Sequence, residues 1–134
     1  MKRIGALFLS VWMLFMLAGC SRVRIPSGAE GKVVYHYDGC EVSFSEELTG
    51  EELETVISIL DGKGRISTLT YGTPSCGFSP EIGFVIDGTT YMMARDTCET
   101  LMICGTFDYI DVSPEEQDIL EAVFTSRGGE FPCI

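Results

Sequence analysis

Cysteines carry most of the chemistry that the residue types of this chain allow. Cys76 and Cys98 flank a stretch with the pattern of a β-hairpin, and extending its pairing sets Cys76 near residue 99. We therefore expect a Cys76–Cys98 disulfide, which closes a loop of about 22 residues and stabilises the fold by about 3 kcal/mol. The alternative is a pair of reduced, buried thiols. Cys133, near the end of the chain, is the next candidate partner for either of them.

Soft metal ligands also lie close together in sequence, and such ligands suit Cu(I). They are Met92, Met93, Cys98, Met102 and Cys104. No Cys-x-x-Cys or Met-x-x-Met run concentrates them, and adjacent methionines in a strand point to opposite faces. We predict no metal or cofactor. A thiol-dependent or metal-dependent carrier or enzyme, with copper or zinc at the cysteines, is the alternative function.

The one histidine, His36, lies in the middle of a predicted strand. With a cysteine it would make a nucleophile–base pair, but a strand histidine is more often packed or solvated. The chain has no His-Glu-x-x-His helix, no Gly-x-Ser-x-Gly elbow, and no phosphate-binding or calcium-binding loop. We therefore predict no catalytic residue, and a domain that is not an enzyme.

The first twenty residues have the layout of an export signal: basic Lys2 and Arg3, an uncharged apolar stretch to Leu17, then small residues. The apolar stretch is shorter than the roughly 20 residues that cross a bilayer. The ending Leu17-Ala18-Gly19-Cys20 resembles the lipobox of bacterial lipoproteins. This resemblance implies that residues 1–19 are cleaved off and that Cys20 is acylated, which anchors the chain at the extracytoplasmic face of the cell membrane. The alternative is an ordinary signal peptide or an uncleaved anchor in which Cys20 is incidental.

The charge of the chain is strongly lopsided. All twenty acidic residues follow residue 20, but only seven of the nine basic residues do, so the mature part carries a net charge of −13. Such a domain repels phosphate backbones, which argues against a nucleic-acid partner. Arg22 and Arg24 adjoin Cys20 and can meet anionic lipid headgroups. Proline and glycine interrupt residues 20–31, which we predict to be a flexible tether spanning roughly 15–20 Å.

Residues 32–134 are predicted to form a single α+β domain with a mostly antiparallel sheet. Its strands make three hairpins plus one strand over residues 65–71. The hairpins pair 33–37 with 40–45, 82–86 with 89–94, and 100–104 with 107–112, turning at Asp38-Gly39, Asp87-Gly88 and Gly105-Thr106. In the second hairpin, residue 86 should face residue 89. One face then holds the core side chains Ile82, Phe84, Ile86, Tyr91 and Met93.

Two amphipathic helices are predicted on one face of this sheet. Each begins at a capping box, at Thr49-Gly50-Glu51-Glu52 and Ser113-Pro114-Glu115-Glu116. Their apolar stripes are Leu53, Val56, Ile57 and Leu60, and Ile119, Leu120, Val123 and Phe124. The apolar tail, residues 131–134, should dock on the domain.

Three cysteine motifs of the domain resemble those of small uncharacterised lipoproteins and secreted domains of Gram-positive bacteria. They are Pro74-Ser75-Cys76-Gly77-Phe78, Ala94-Arg95-Asp96-Thr97-Cys98 and Gly128-Gly129-Glu130-Phe131-Pro132-Cys133. The resemblance spans residues 32–134. It implies that Cys76, Cys98 and Cys133 belong together and that Cys40 and Cys104 are additional, and it implies no activity. The function expected is a lipid-anchored extracytoplasmic lipoprotein with a non-enzymatic binding or protein-interaction domain.

Overall fold

Short strands and two longer helices make up the part of the chain that the computed structural model describes, residues 22–133. The strands are β1 (Gly31–Tyr35), β2 (Phe44–Leu48), β3 (Ile66–Ser67), β4 (Ile82–Ile86), β5 (Thr89–Met93), β6 (Thr100–Ile103) and β7 (Asp108–Asp111). The helices are α1 (Gly50–Leu60), α2 (Thr68–Tyr71) and α3 (Pro114–Thr125). The predicted signal peptide and the lipidated Cys20 lie outside the described residues. None of the described helices is long and apolar enough to cross a membrane.

The seven strands form one sheet in the order β2-β1-β4-β5-β6-β7-β3. Every neighbouring pair is antiparallel. Buried side chains of α1 and α3 join those of the strands in one hydrophobic core. The predicted α+β class with an antiparallel sheet is confirmed, and α2 is a third, four-residue helix that was not predicted.

The second predicted hairpin, β4–β5, is confirmed in its register. Ile86 lies opposite Thr89 and Phe84 opposite Tyr91. Both turn residues, Asp87 and Gly88, have positive φ, as a two-residue type I′ turn requires. The five side chains predicted to face the core are all buried. The turn residues and the period-two pattern were sufficient to predict the register of this hairpin, because both specify the same pairing.

The first predicted hairpin is wrong at its turn. Asp38-Gly39 does not connect two paired strands; Tyr35 lies opposite Phe44, and residues 36–43 form a longer loop between them. Core packing explains the difference, because this register stacks the rings of Tyr35 and Phe44 with centroids 5.3 Å apart. Cys40, predicted in the second strand, therefore lies in the loop.

The third hairpin pairs β6 with β7 as predicted, with Leu101 opposite Ile110. The predicted strand over residues 65–71 is wrong beyond its first residues, since only β3 pairs with β7 and α2 follows at once. The Ser67 hydroxyl accepts the Leu69 N–H and begins this short helix. The Thr68 N–H donates to the Phe107 carbonyl. This hydrogen bond extends the β3–β7 pairing by one residue into the start of α2.

The two predicted capping boxes have different outcomes. At α3 the Ser113 hydroxyl accepts the Glu116 N–H at 3.1 Å, and the Glu116 carboxylate accepts the Ser113 N–H at 3.1 Å. At α1 the Thr49 side chain makes no capping hydrogen bond. Gly50 has a φ of 56°, so the chain enters α1 along a path that a capping box does not allow. The capping box at α3 is thus confirmed and that at α1 is wrong.

The apolar stripes of the helices contribute part of the core. Val56 and Leu60 of α1 and Leu120, Val123 and Phe124 of α3 are buried. Leu53 and Ile57 pack against the core while half-buried. Ile119, predicted in the second stripe, is instead 44% exposed. It precedes Leu120 by one residue, which turns its side chain about 100° around the helix axis, away from the sheet.

The apolar tail docks as predicted. The Phe131 ring packs edge-on against Phe124, with centroids 5.3 Å apart, and Cys133 is buried. The Cys133 N–H donates to the Arg95 carbonyl at 2.7 Å. The Arg95 Nε donates to the Cys133 carbonyl at 3.1 Å. Both backbone polar groups of Cys133 are therefore hydrogen-bonded to Arg95.

Residues 22–30 differ from the flexible tether predicted for them. Val23 and Ala29 are buried in the core. The Val23 N–H donates to Lys63 at 2.9 Å, and the Val23 carbonyl accepts the Gly62 N–H at 2.8 Å. The exposed Arg22 and Arg24 alternate with Val23, which is the period-two pattern of a strand in a stretch too short to stand out. The folded domain therefore extends to Arg22.

Candidate functional site

The Cys76–Cys98 disulfide is present, as predicted. Its S–S distance is 2.08 Å and its Cα–Cα distance 6.3 Å. It ties the loop that precedes β4 to the residues that precede β6. An Asp96 carboxylate oxygen lies within 4.8 Å of both sulfurs, the arrangement of a metal-ligand cluster. Because the sulfurs are bonded to each other, neither is a thiolate ligand while the bridge is intact.

Cys133, the other candidate partner for this bridge, is a free thiol. Its Sγ lies 3.7 Å from the Tyr35 hydroxyl and donates to the Glu130 carbonyl at 3.1 Å. Burial raises the pKa of the Cys133 thiol. Desolvation likewise raises the pKa of Tyr35, whose hydroxyl also interacts with the Cys40 thiol. The Cys133 thiol and the Tyr35 phenol are therefore kept protonated.

One arginine joins the three motifs that resemble the Gram-positive lipoproteins. The Arg95 N–H donates to the Gly77 carbonyl at 2.8 Å, while its side chain and carbonyl hold Cys133. Its guanidinium lies over the Tyr37 ring, 5.2 Å from the centroid. Arg95 thus connects Cys133 to the loop that contains Cys76, without a sulfur bond between Cys133 and the disulfide.

The remaining soft ligands are separated by the fold. Met93 is buried in the core, whereas Met92 lies opposite Met102 on the other face of the sheet. Cys98 is in the disulfide, and Cys104 is an exposed free thiol in the β6–β7 turn. The five residues that lie close in sequence therefore do not converge on one point.

His36 is not paired with a cysteine among the described residues. Its Nδ1 contacts the Ser43 hydroxyl instead. Both residues are exposed and lie at the two ends of the β1–β2 loop. The contact therefore closes this loop.

A groove of about 570 Å³ between α1 and α3 is a feature that the sequence did not indicate. Its apolar floor comes from α3, with Ile119 as the exposed large side chain. Its polar rim comes mostly from the start of α1. The lining residues are Thr49, Glu51, Glu52, Thr55, Ile119, Ala122, Val123 and Ser126.

Arg127 pairs with Glu52, one of the carboxylates that line this groove. Its guanidinium pairs with Glu52 at 2.6 Å and with Glu46 at 2.7 Å, and its side chain is only 16% exposed. The hydrogen bond to Glu52 is the main cause that raises the Arg127 pKa, so the cation is permanent. The three side chains hold α1, α3 and β2 together.

The two long helices are acidic throughout. Between them they carry seven carboxylates, Glu51, Glu52, Glu54, Glu115, Glu116, Asp118 and Glu121, and no lysine or arginine. Arg127 offsets Glu52, and Lys63 offsets Glu116 at 2.6 Å, which lowers the pKa of that carboxyl. The groove therefore combines apolar side chains of α3 with the carboxylates Glu51 and Glu52 of α1. Two features of the sequence relate to this groove, although they did not predict it. Both long helices carry acidic but no basic residues, and α3 has an isoleucine, Ile119, beyond those that pack in the core.

No protein-family model, curated protein or solved structure matches this chain.

Proposed function

We propose that this chain is a bacterial lipoprotein, anchored through Cys20 on the extracytoplasmic face of the cell membrane. We propose further that its domain binds a protein partner without catalysing a reaction. The lipobox-like ending Leu17-Ala18-Gly19-Cys20 supports the anchor.

The groove between α1 and α3 is the observation that carries the binding function. Exposed Ile119 offers an apolar contact, and the α1 carboxylates Glu51 and Glu52 line the same groove. A basic, amphipathic polypeptide segment has the complementary chemistry, because its apolar residues cover the floor while its cations meet the rim. Such a segment would also be attracted at long range by the net charge of −13.

Titration of the purified chain with a synthetic amphipathic Lys/Leu peptide tests this binding function. Ile119→Asp should weaken binding about tenfold, equivalent to 1.4 kcal/mol, since it places a carboxylate on the apolar floor. Leu69→Asp is the matched control, since it makes the same change at an exposed apolar residue outside the groove. Equal losses in both variants would reject the groove as the binding site. Stoichiometric copper or zinc in the purified protein would instead favour a metal carrier.

The anchor has a separate test. Cys20→Ala should abolish incorporation of labelled fatty acid and leave the precursor uncleaved, because Cys20 is the proposed acylated residue. Cys104→Ala is the control, since this free cysteine is exposed but lies in the folded domain. Labelling that persists in Cys20→Ala and disappears in Cys104→Ala would overturn the assignment.

A further inference from the structure

The start of the domain is paired with the segment that leads into β3. Arg22 forms an antiparallel bridge with Gly64, and Val23 exchanges hydrogen bonds with Gly62 and Lys63. Arg22 lies two positions after Cys20, a distance of at most about 7 Å in an extended chain. Whatever surface holds Cys20 therefore lies close to the β3 edge of the sheet.

This pairing gathers the cations of the chain. The backbone of Arg22 and Arg24 comes beside that of Lys63 and Arg65, so that four of the seven basic residues after Cys20 lie along one edge of the sheet. Arg22 and Arg24 are exposed. Lys63 and Arg65 pair with Glu116 and Asp108 but remain partly exposed. The most basic part of an acidic domain thus adjoins the proposed anchor.

Exposed apolar side chains adjoin these cations. Leu69, Tyr71 and Phe107 are 77%, 76% and 66% exposed, and they are three of the four large apolar side chains exposed within residues 22–133. Thr68 links them, because its N–H and hydroxyl donate to the Phe107 carbonyl at 2.7 and 2.8 Å. Asp108, which follows Phe107, carries the ion pair with Arg65. The apolar groups therefore lie at the same edge of the sheet as the basic residues.

We propose that these residues form a membrane-contact surface on anionic lipid. It consists of Arg22, Arg24, Lys63, Arg65, Leu69, Tyr71 and Phe107. The cations meet the headgroups, and the apolar side chains enter the interfacial layer, where tyrosine is favoured. This inference rests on the proposed anchoring at Cys20.

Anionic lipid fits this surface better than a second copy of the chain. Two mature chains each carry a net charge of −13 and repel one another, whereas the basic residues here complement an anionic surface. The short connection to Cys20 also brings the surface within reach of the bilayer on every molecule. The anchor keeps the surface at a high effective concentration next to the bilayer. A weak attraction is therefore sufficient to orient the domain.

Fluorescence of the full chain, expressed in a bacterium and reconstituted in vesicles, tests the contact. In a Trp12→Phe background, which removes the one native tryptophan, Tyr71→Trp reports on the proposed surface and Ile119→Trp on the helix groove. The vesicles contain phosphatidylcholine with brominated acyl chains, with or without phosphatidylglycerol. We expect bromine to quench the reporter at position 71 several-fold more than that at 119. Removing phosphatidylglycerol, or adding Arg22→Glu with Arg24→Glu, should reduce this quenching at least twofold.

The outcomes separate the contact from the anchor. Sedimentation with vesicles but equal quenching at the two positions would overturn the contact and leave the anchor in place. Failure of the reporter chains to sediment with either vesicle would overturn both. A reporter at position 71 that is shielded from bromine and from aqueous iodide alike would assign the surface to a protein partner or a second copy, and would also overturn the contact.

Discussion

The membrane-contact surface and the helix layer of α1 and α3 have opposite chemistry within one small domain. The former gathers four cations with three exposed apolar side chains, whereas the latter carries seven carboxylates and buries its apolar side chains in the core. A chain with a net charge of −13 would spread its few basic residues thinly if they served solubility alone. The separation indicates that the exposed apolar groups at one end are available for contacts, while those in the helix layer, apart from Ile119 in the groove, stabilise the fold.

The largest expected effect is on stability, and it tests whether the helix layer rather than the proposed contact surface stabilises the fold. Phe124→Ala should lower the free energy of unfolding by about 3–5 kcal/mol, because the ring packs against Phe84, Phe131 and Tyr35. Leu69→Ala, at an equally apolar but exposed residue, should change it by no more than about 0.5 kcal/mol. Urea denaturation of both variants measures the difference. A comparable loss in Leu69→Ala would mean that the proposed contact surface stabilises the fold.

The disulfide should have the next largest effect. Cys76→Ser with Cys98→Ser should cost about 3 kcal/mol, since the bridge restricts a loop of 22 residues in the unfolded chain. Cys104→Ser is the matched control, because this thiol is exposed and unbridged. Thermal unfolding with intact-mass analysis checks both variants. Unchanged stability in the double variant would contradict a structural role for the bridge.

A smaller effect distinguishes the two helix starts within the helix layer. Ser113→Ala should cost about 1 kcal/mol, because it leaves the Glu116 N–H without its acceptor. Thr49→Ala removes no capping hydrogen bond and should cost less than about 0.5 kcal/mol. Urea denaturation of the two variants under one condition gives the comparison. Equal costs would show that Thr49 caps α1 in solution.

The smallest expected effect is a decrease in the free energy of unfolding at alkaline pH. Burial raises the pKa of Cys133 above that of an unfolded thiol, so the unfolded chain releases this proton first. The stabilisation is complete below the ordinary thiol pKa and is lost as pH rises through the raised value. Cys133→Ser should therefore flatten the fall of unfolding free energy at alkaline pH. Maleimide labelling measures the accessibility of the same thiol independently. We expect Cys104 to react at neutral pH and Cys133 to react only on unfolding. Prompt labelling of both would contradict the burial of Cys133.

Sequence reasoning succeeded where several local signals agreed. At β4–β5 the turn chemistry and the period-two pattern specify the same register, and at α3 the proline, the serine and Glu116 specify the same cap. It failed at Asp38-Gly39, because a good local turn competed with the packing of Tyr35 on Phe44. It missed the groove and the contact surface altogether, since both depend on elements distant along the chain.

The amino-acid sequence by itself determined the fold class, the core face of the central hairpin and the expectation of a Cys76–Cys98 bridge. These follow from residues within about thirty positions of one another, where steric and hydrogen-bonding rules act locally. Only the tertiary structure decided that Arg22 lies beside Gly64, that Ile119 faces a groove and that Cys133 is held by Arg95. The physical reason is that burial of the common core selects these long-range pairings, and no local pattern records which distant segments it brings together.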